Sequence, residues 1–186
     1  MQEIRLTWWR EALDEVFAGA KPRRHPVVEA LAEAIRRRAL MQAPFEAMVE
    51  ARIAAIVAPR LADEAVACRY LDATAGALMG LAATALDAAV EPAATLPAAR
   101  AWGLAGLARL RRTGVDRLPQ SWDDASVRSR VRAALVEARS KARGLPVAAF
   151  PALAYATLAS AYAAGRSPSE LEKRLRLTAA ILTGRL

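Results

Sequence analysis

Residues 2–18 read QEIRLTWWREALDEVFA, and their apolar positions follow the period of an α-helix. One face of that helix would carry Leu6, Trp9, Leu13, Val16 and Phe17, which predicts a surface buried against other helices. The next segment repeats the pattern, with apolar residues at Val27, Leu31, Ala34, Ile35 and Leu40. Because such stripes are more typical of a protein core than of a cofactor site, the sequence favours a helical bundle.

The composition of the whole chain supports the same fold class. Its 186 residues suit one domain, and 55% of them are hydrophobic, with alanine supplying much of that share. Alanine favours helices, and no stretch has the convincing period-two pattern of a strand. We therefore predict an all-α fold, a single domain over residues 1–186 that forms a bundle of about eight helices.

Glycine and proline residues mark the ends of these helices. The predicted helices cover about residues 2–18, 26–40, 44–59, 63–90, 98–112, 121–144, 151–165 and 167 onward, with a linker from Pro92 to Pro97. Two segments carry start signals. Ser121-Trp-Asp-Asp124 resembles a capping box, and Ser167-Pro-Ser-Glu170 combines a cap, a first-turn proline and an acid.

The net charge of +8, from 27 basic and 19 acidic residues, has two interpretations. It suits an anionic partner such as phosphate, nucleic acid or a membrane surface. It is also what an arginine-rich, solvated helix surface produces, and we favour this second interpretation. The basic residues are spread over most helices rather than concentrated among aromatic side chains, so a nucleic-acid partner is not predicted.

Three further features bear on location. Cys68 is a lone cysteine, which excludes an internal disulfide and fits a reducing compartment. Charged residues follow Met1 closely, so we expect no signal peptide, and no stretch has the ~18 uninterrupted apolar residues of a spanning helix. We predict a cytoplasmic protein, with peripheral contact at the inner face of a membrane as a further expectation.

The sequence offers few groups for nucleophilic catalysis. His25 is the only histidine, which argues against the common triads, and the glycine-rich phosphate loops are absent. Gly103 and Gly106 lie within a helical pattern, where we expect them to allow close helix packing.

Carboxylates for a metal site are also sparse. An all-helical enzyme can hold Mg²⁺ with aspartates four residues apart on facing helices. No two aspartates have that spacing, and the acidic pairs that do are Glu11/Glu15, Glu29/Glu33, Glu46/Glu50 and Asp87/Glu91. Most are interleaved with arginines, as on a solvated helix face, and the last runs into Pro92. The sequence therefore predicts no metal ligands.

Several segments in a fixed order carry a family likeness. The stretch from Glu3 to Glu15 fits the pattern IRLxWWRxxLD, and His25-Pro-Val-Val-Glu-Ala-Leu31 fits HPvxxAL. The positions that match these two motifs include Arg5, Trp8, Trp9, Arg10, His25 and Pro26. Weaker likenesses follow at residues 70–76, 101–106, 117–119 and 150–153. Together these segments resemble the squalene/phytoene synthase family.

The resemblance implies an all-α isoprenoid synthase fold. Enzymes of this family join two prenyl diphosphates head to head in an apolar cavity, using two aspartate-rich motifs and Mg²⁺. The first motif would lie upstream of Ile4, and the second would fall at Leu107–Arg112, which reads Leu-Ala-Arg-Leu-Arg-Arg. Ala55 stands where many relatives have aspartate. We therefore predict no catalytic residue and no cofactor, and Mg²⁺ enters only if the enzymatic alternative holds.

The leading hypothesis is accordingly a non-catalytic family member whose cavity holds a lipid or prenyl chain. The candidate phosphate ligands are Arg52, Arg109, Arg111 and Arg112. An alternative position for the arginines of the fifth helix is its outer face or its C-terminal end. A cavity open on one side would favour a protein partner, a homodimer or a membrane surface.

Two further expectations follow from the resemblance. Residues 150–153 resemble the branch that includes the mitochondrial complex I assembly factor, which implies a role in assembling a respiratory complex. The alternative function is a Mg²⁺-dependent head-to-head prenyl-diphosphate transferase.

Overall fold

The computed structural model describes residues 2–186, and the regular structure of these residues is entirely helical. Eight helical segments follow one another along the chain: α1 (Gln2–Phe17), α2 (Pro26–Arg38), α3 (Ala43–Val57), α4 (residues 64–86), α5 (Leu96–Arg112), α6 (Asp124–Ala142), α7 (residues 147–163) and α8 (Glu170–Thr183). The predicted all-α fold of about eight helices is confirmed.

Two segments change helical geometry along their length. In α4, the α-helices Glu64–Leu71 and Ala77–Leu86 are joined by a π-helical stretch, Asp72–Gly76. In α7, short α-helices alternate with 3-10 turns; the pieces are Val147–Ala149, Phe150–Leu153, Ala154–Leu158 and Ala159–Ala163. Such changes of geometry alter which side chains face a neighbouring helix.

The segment predicted as a linker, Pro92 to Pro97, is instead helical. Pro92–Thr95 form a 3-10 turn, and α5 begins directly afterwards at Leu96. Pro97 lies in the first turn of α5, where the missing N–H of proline removes no helical hydrogen bond. Pro92 and Pro97 therefore lie at the starts of helical segments and do not form an extended linker between two helices.

The capping signal predicted for α6 is displaced by two residues. The N-cap is Asp123, whose Oδ1 accepts the Ser126 N–H at 2.8 Å, and not Ser121. A carboxylate at this position also interacts favourably with the positive end of the helix dipole. The hydrogen bonds to Ser126 lower the pKa of Asp123.

The same displacement occurs at α8. The N-cap is Ser169, whose Oγ accepts the Glu172 N–H at 3.2 Å, and not Ser167. This register places Glu172 against Arg166, which donates two hydrogen bonds of 2.6 and 2.8 Å to its carboxylate. The Ser169 cap marks the start of the helix, and the bidentate ion pair ties its first turn to the preceding loop.

Two apolar clusters hold the helices together. The larger one lies among α4, α5, α6 and α7, and its fully buried side chains include Leu118, Val127, Val131, Leu153 and Leu158. The smaller one joins α1, α2 and α3 through Leu13, Ile35, Leu40, Phe45 and Val49. On α2 the inner side is formed by Val28, whereas Val27, which we predicted to be in the core, is 56% exposed.

The alanine-rich part of α4 is buried on one side only. Met79 and Ala83 face the core, whereas Leu78 is 61% exposed. No helix within residues 2–186 is both long enough and apolar enough to cross a membrane.

Candidate functional site

A cavity of about 790 Å³ opens between α3, α4, α5 and α7. Its walls are largely apolar, with aliphatic side chains from α4 and aromatic side chains from α5 and α7. Prominent lining residues are Leu71, Met79, Trp102, Leu107, Tyr155 and Tyr162. A space of this size and character suits the apolar part of a lipid-like ligand.

The aromatic wall of the cavity centres on Trp102. Its ring centroid lies 5.7 Å from that of Tyr155 and 5.8 Å from that of Tyr162, in tilted and edge-on arrangements. Trp102 also contacts the larger apolar cluster, so only one side of its ring faces the cavity.

Two glycines of α5 shape the cavity in different ways. A Cβ added at Gly103 would lie 2.6 Å from Leu71 Cδ2 and 3.1 Å from Ala75 Cβ, so Gly103 allows α4 and α5 to approach closely. A Cβ added at Gly106 would meet no atom within 4 Å. The predicted packing role is therefore confirmed for Gly103 and wrong for Gly106, which borders open space in the cavity.

The π-helical stretch of α4 forms part of the same wall. It brings Thr74 and Ala75 to the cavity, and the Thr74 hydroxyl donates a hydrogen bond of 2.6 Å to the Tyr70 carbonyl. Single π-helical turns of this kind occur often at functional sites. The segment has no distinct hydrophobic period, so the sequence does not predict it.

Three arginines from α3, α5 and the loop after α5 line the cavity: Arg52, Arg109 and Arg117. The Arg109 guanidinium lies 5.3 Å from the ring centroid of Tyr162, a cation–π distance. Arg117 donates one hydrogen bond of 2.8 Å to the Ala55 carbonyl, which leaves its other N–H groups available. No aspartate or glutamate is among the lining residues, so the charge of the cavity is positive.

The other two predicted phosphate ligands do not line the cavity. Arg111 donates to Asp116 Oδ1 at 3.0 Å and to the Trp122 carbonyl at 2.9 Å. Arg112 donates to the carbonyls of Tyr162 and Ala163 at 2.7 and 2.9 Å, where α7 ends. Both arginines therefore connect structural elements, whereas Arg117, which lines the cavity, was not among the predicted ligands.

Asp72, the first residue of the π-helical stretch, follows the lining residue Leu71 directly. Arg100 holds it with two hydrogen bonds of 2.7 Å, and this interaction raises the pKa of the Arg100 guanidinium. A Mg²⁺ ion prefers several anionic oxygens with free lone pairs. Because the lining contains none and Asp72 is already paired, the residues around the cavity do not fit Mg²⁺. Among residues 2–186, no group of three or more candidate metal-binding side chains clusters anywhere.

The acidic pairs at helical spacing belong to the protein surface. Arg23 contacts both Glu11 and Glu15, and its hydrogen bond lowers the pKa of Glu15. Glu33 pairs with Arg36 and Arg37, Glu50 pairs with Arg10, and Glu46 accepts a hydrogen bond from Gln42. Asp87 lies just beyond the end of α4, so it does not share a helix face with Glu91.

Three residues of the first two family motifs, Trp8, Trp9 and His25, form a cluster apart from the cavity. The ring centroids of Trp8 and Trp9 lie 5.2 Å apart, and the centroid of His25 lies 5.3 Å from that of Trp8 and 5.4 Å from that of Trp9. Pro26 occupies the first turn of α2. Arg5 is exposed, and Arg10 connects α1 to α3 through Glu50. None of these residues lines the cavity, and the cluster joins α1 to the start of α2.

Comparisons with known proteins agree with this architecture. The squalene synthase HpnC from Alicyclobacillus acidocaldarius has a crystal structure that matches the fold with a TM-score of 0.65 and 19% identity; the match covers 96% of this chain and 73% of that chain. Curated protein sequences give no significant match. The family model for squalene/phytoene synthase matches residues 1–116. Since that match spans more than half of the 186 residues, the chain belongs to the squalene/phytoene synthase family.

Proposed function

We propose that this chain binds an anionic amphiphile, a prenyl or other lipid chain with a phosphate head, and does not catalyse its transfer. The observation that carries the proposal is the lining of the cavity. Apolar walls enclose about 790 Å³, and the charged groups among the lining residues are Arg52, Arg109 and Arg117. This combination matches a molecule with a long apolar chain and a negative end.

The two parts of such a ligand would be bound by different forces. The chain would gain about 25 cal/mol for each Å² of apolar surface that leaves water against residues such as Leu71 and Met79. The phosphate would accept charge-assisted hydrogen bonds from guanidinium groups, which need no bridging metal. Arg109 is already oriented by Tyr162 and Arg117 by Ala55, which lowers the entropy lost on binding.

The alternative function, a Mg²⁺-dependent prenyl-diphosphate transferase, has less support. It would need carboxylates that hold metal beside the diphosphate. The lining supplies arginines instead, and Asp72 is paired with Arg100. The resemblance of residues 150–153 implies a role in assembling a respiratory complex. Such a role is compatible with lipid binding, because it does not require transfer chemistry.

Titration with geranylgeranyl phosphate in EDTA, followed by tryptophan fluorescence, tests the proposal. Trp102 is the tryptophan that lines the cavity, so the signal should disappear in the Trp102→Phe variant. We expect Arg52→Gln and Arg109→Gln each to weaken binding by about tenfold, because each removes a hydrogen bond to a charged group. The matched control is Arg38→Gln, which changes an exposed arginine on α2 and should leave the affinity unchanged.

Two results would overturn the proposal. One is saturable binding that Arg52→Gln, Arg109→Gln and Arg38→Gln weaken to the same extent, since the cavity arginines would then have no special role. The other is release of diphosphate from a prenyl diphosphate in the presence of Mg²⁺, since this would show transfer chemistry.

A further inference from the structure

The outer face of α8 carries a row of exposed leucines. Leu171, Leu175 and Leu182 are 68%, 63% and 77% exposed. At 3.6 residues per turn, their side chains leave the helix within about 40° of one another. Ala180, the buried residue of α8, lies on the opposite side. The helix therefore has one apolar side against the fold and a second apolar strip, formed by these three leucines, that faces solvent.

The charges that flank this leucine strip are basic. Arg174 lies beside the strip on α8, and Arg185 follows the end of the helix at Thr183; both are exposed and form no ion pair with the other residues of the described range 2–186. The acids of α8 are neutralised by ion pairs: Glu170 with Lys173, and Glu172 with Arg166 and Arg176. The solvent-facing side of α8 is thus both apolar and net positive.

We propose that α8 docks on the surface of an anionic lipid bilayer. Helices that lie in a membrane interface combine an apolar strip with arginine or lysine beside it. In this arrangement the leucine strip would enter the interfacial region, and Arg174 and Arg185 would contact lipid phosphates. The net charge of +8 over the whole chain has the sign that an anionic leaflet attracts. The proposal does not depend on what the cavity binds.

A second copy of the chain fits the same strip less well. A two-fold symmetric dimer places the same patch on both sides of the interface. Two copies would then bring together two faces of net positive charge, and like charges across an interface oppose association. The charge pattern therefore favours a negative surface over self-association.

Vesicle flotation of the full chain tests the docking surface. The vesicles would contain phosphatidylcholine alone or a mixture with phosphatidylglycerol, and we expect binding only to the anionic mixture. The triple variant Leu171→Ser, Leu175→Ser, Leu182→Ser should reduce that binding by at least about tenfold, because the strip no longer enters the interface. The double variant Arg174→Gln, Arg185→Gln should reduce it severalfold and lessen its sensitivity to salt.

The matched control removes three exposed apolar side chains elsewhere, with Val27→Ser, Met41→Ser and Val57→Ser, and should bind as the original chain does. Circular dichroism verifies that each variant is folded. The proposal is overturned if the original chain does not float with anionic vesicles, or if the leucine and control variants bind equally. It is also overturned if the original chain is a stable dimer that the leucine substitutions convert to monomers without any vesicle binding in either form.

Discussion

The contact between α4 and α5 can be tested with one substitution made at two positions. Gly103→Ala and Gly106→Ala both replace a glycine in the interior of α5, so both should gain the same helix propensity, about 0.5–1 kcal/mol. Their surroundings differ. The new Cβ at residue 103 would lie 2.6 Å from Leu71 Cδ2 and 3.1 Å from Ala75 Cβ, whereas at residue 106 it would meet nothing within 4 Å.

The cost at residue 103 follows from these neighbours. Leu71 Cδ2 is the end of a flexible side chain, but Ala75 Cβ is fixed to the backbone of α4, so the helices must separate slightly. Overpacking of this kind costs about 1–3 kcal/mol. Because the propensity gain is common to both variants, their unfolding free energies should differ by that same amount, about 1–3 kcal/mol. Gly106→Ala should be more stable than the original chain.

Urea unfolding followed by circular dichroism measures both variants under the same conditions. A lower midpoint for Gly103→Ala and a higher one for Gly106→Ala would support the close approach of α4 and α5 at residue 103. Equal increases in the midpoint for both variants would show that residue 103 has as much free space as residue 106, and that α4 and α5 do not approach closely there.

Two further predictions concern the cap of α8 and the arginines of α5. Because Ser169 is the N-cap of α8, Ser169→Ala should lower the unfolding free energy by about 1 kcal/mol, whereas Ser167→Ala should leave it nearly unchanged. Urea unfolding measures both variants, and equal effects of the two substitutions would contradict this assignment of the cap. Arg112→Gln should lower the unfolding free energy by about 1–3 kcal/mol, because two carbonyls at the end of α7 lose a charged donor. Arg109→Gln should change it by less than about 1 kcal/mol, because the Arg109 guanidinium packs over the Tyr162 ring. Thermal unfolding of the two arginine variants measures this difference. Equal losses of stability would contradict the distinction between Arg112 as a structural residue and Arg109 as a cavity residue.

The fold was accessible from the sequence because its signals are local. The apolar spacing in residues 2–18 and the glycine and proline positions were enough to predict eight helices. Errors arose where two local signals competed, as when Ser121 and Asp123 both offered a cap for α6. The π-helical stretch Asp72–Gly76 has no local signature in the sequence, although it lies close against α5 at Leu96 and Gly103.

The site was less accessible because its residues are selected by tertiary contacts. Arg109, Arg111 and Arg112 are close in sequence, but only Arg109 reaches the cavity. The partner of Arg112 lies 50 residues away, at Tyr162, and no spacing rule could identify it. Arg117 follows the end of α5 in a loop, and its position beside Ala55 depends on how α3 packs.

The proposed binding of a prenyl or lipid phosphate depends on the cavity arginines and involves no metal-dependent chemistry. Its most direct test is a single titration with geranylgeranyl diphosphate, in which tryptophan fluorescence reports binding and diphosphate release is measured in the same samples, with EDTA or with Mg²⁺. We predict saturable binding in EDTA that Arg109→Gln weakens, and no diphosphate release in either condition. Binding that requires Mg²⁺, or diphosphate released in its presence, would contradict the claim.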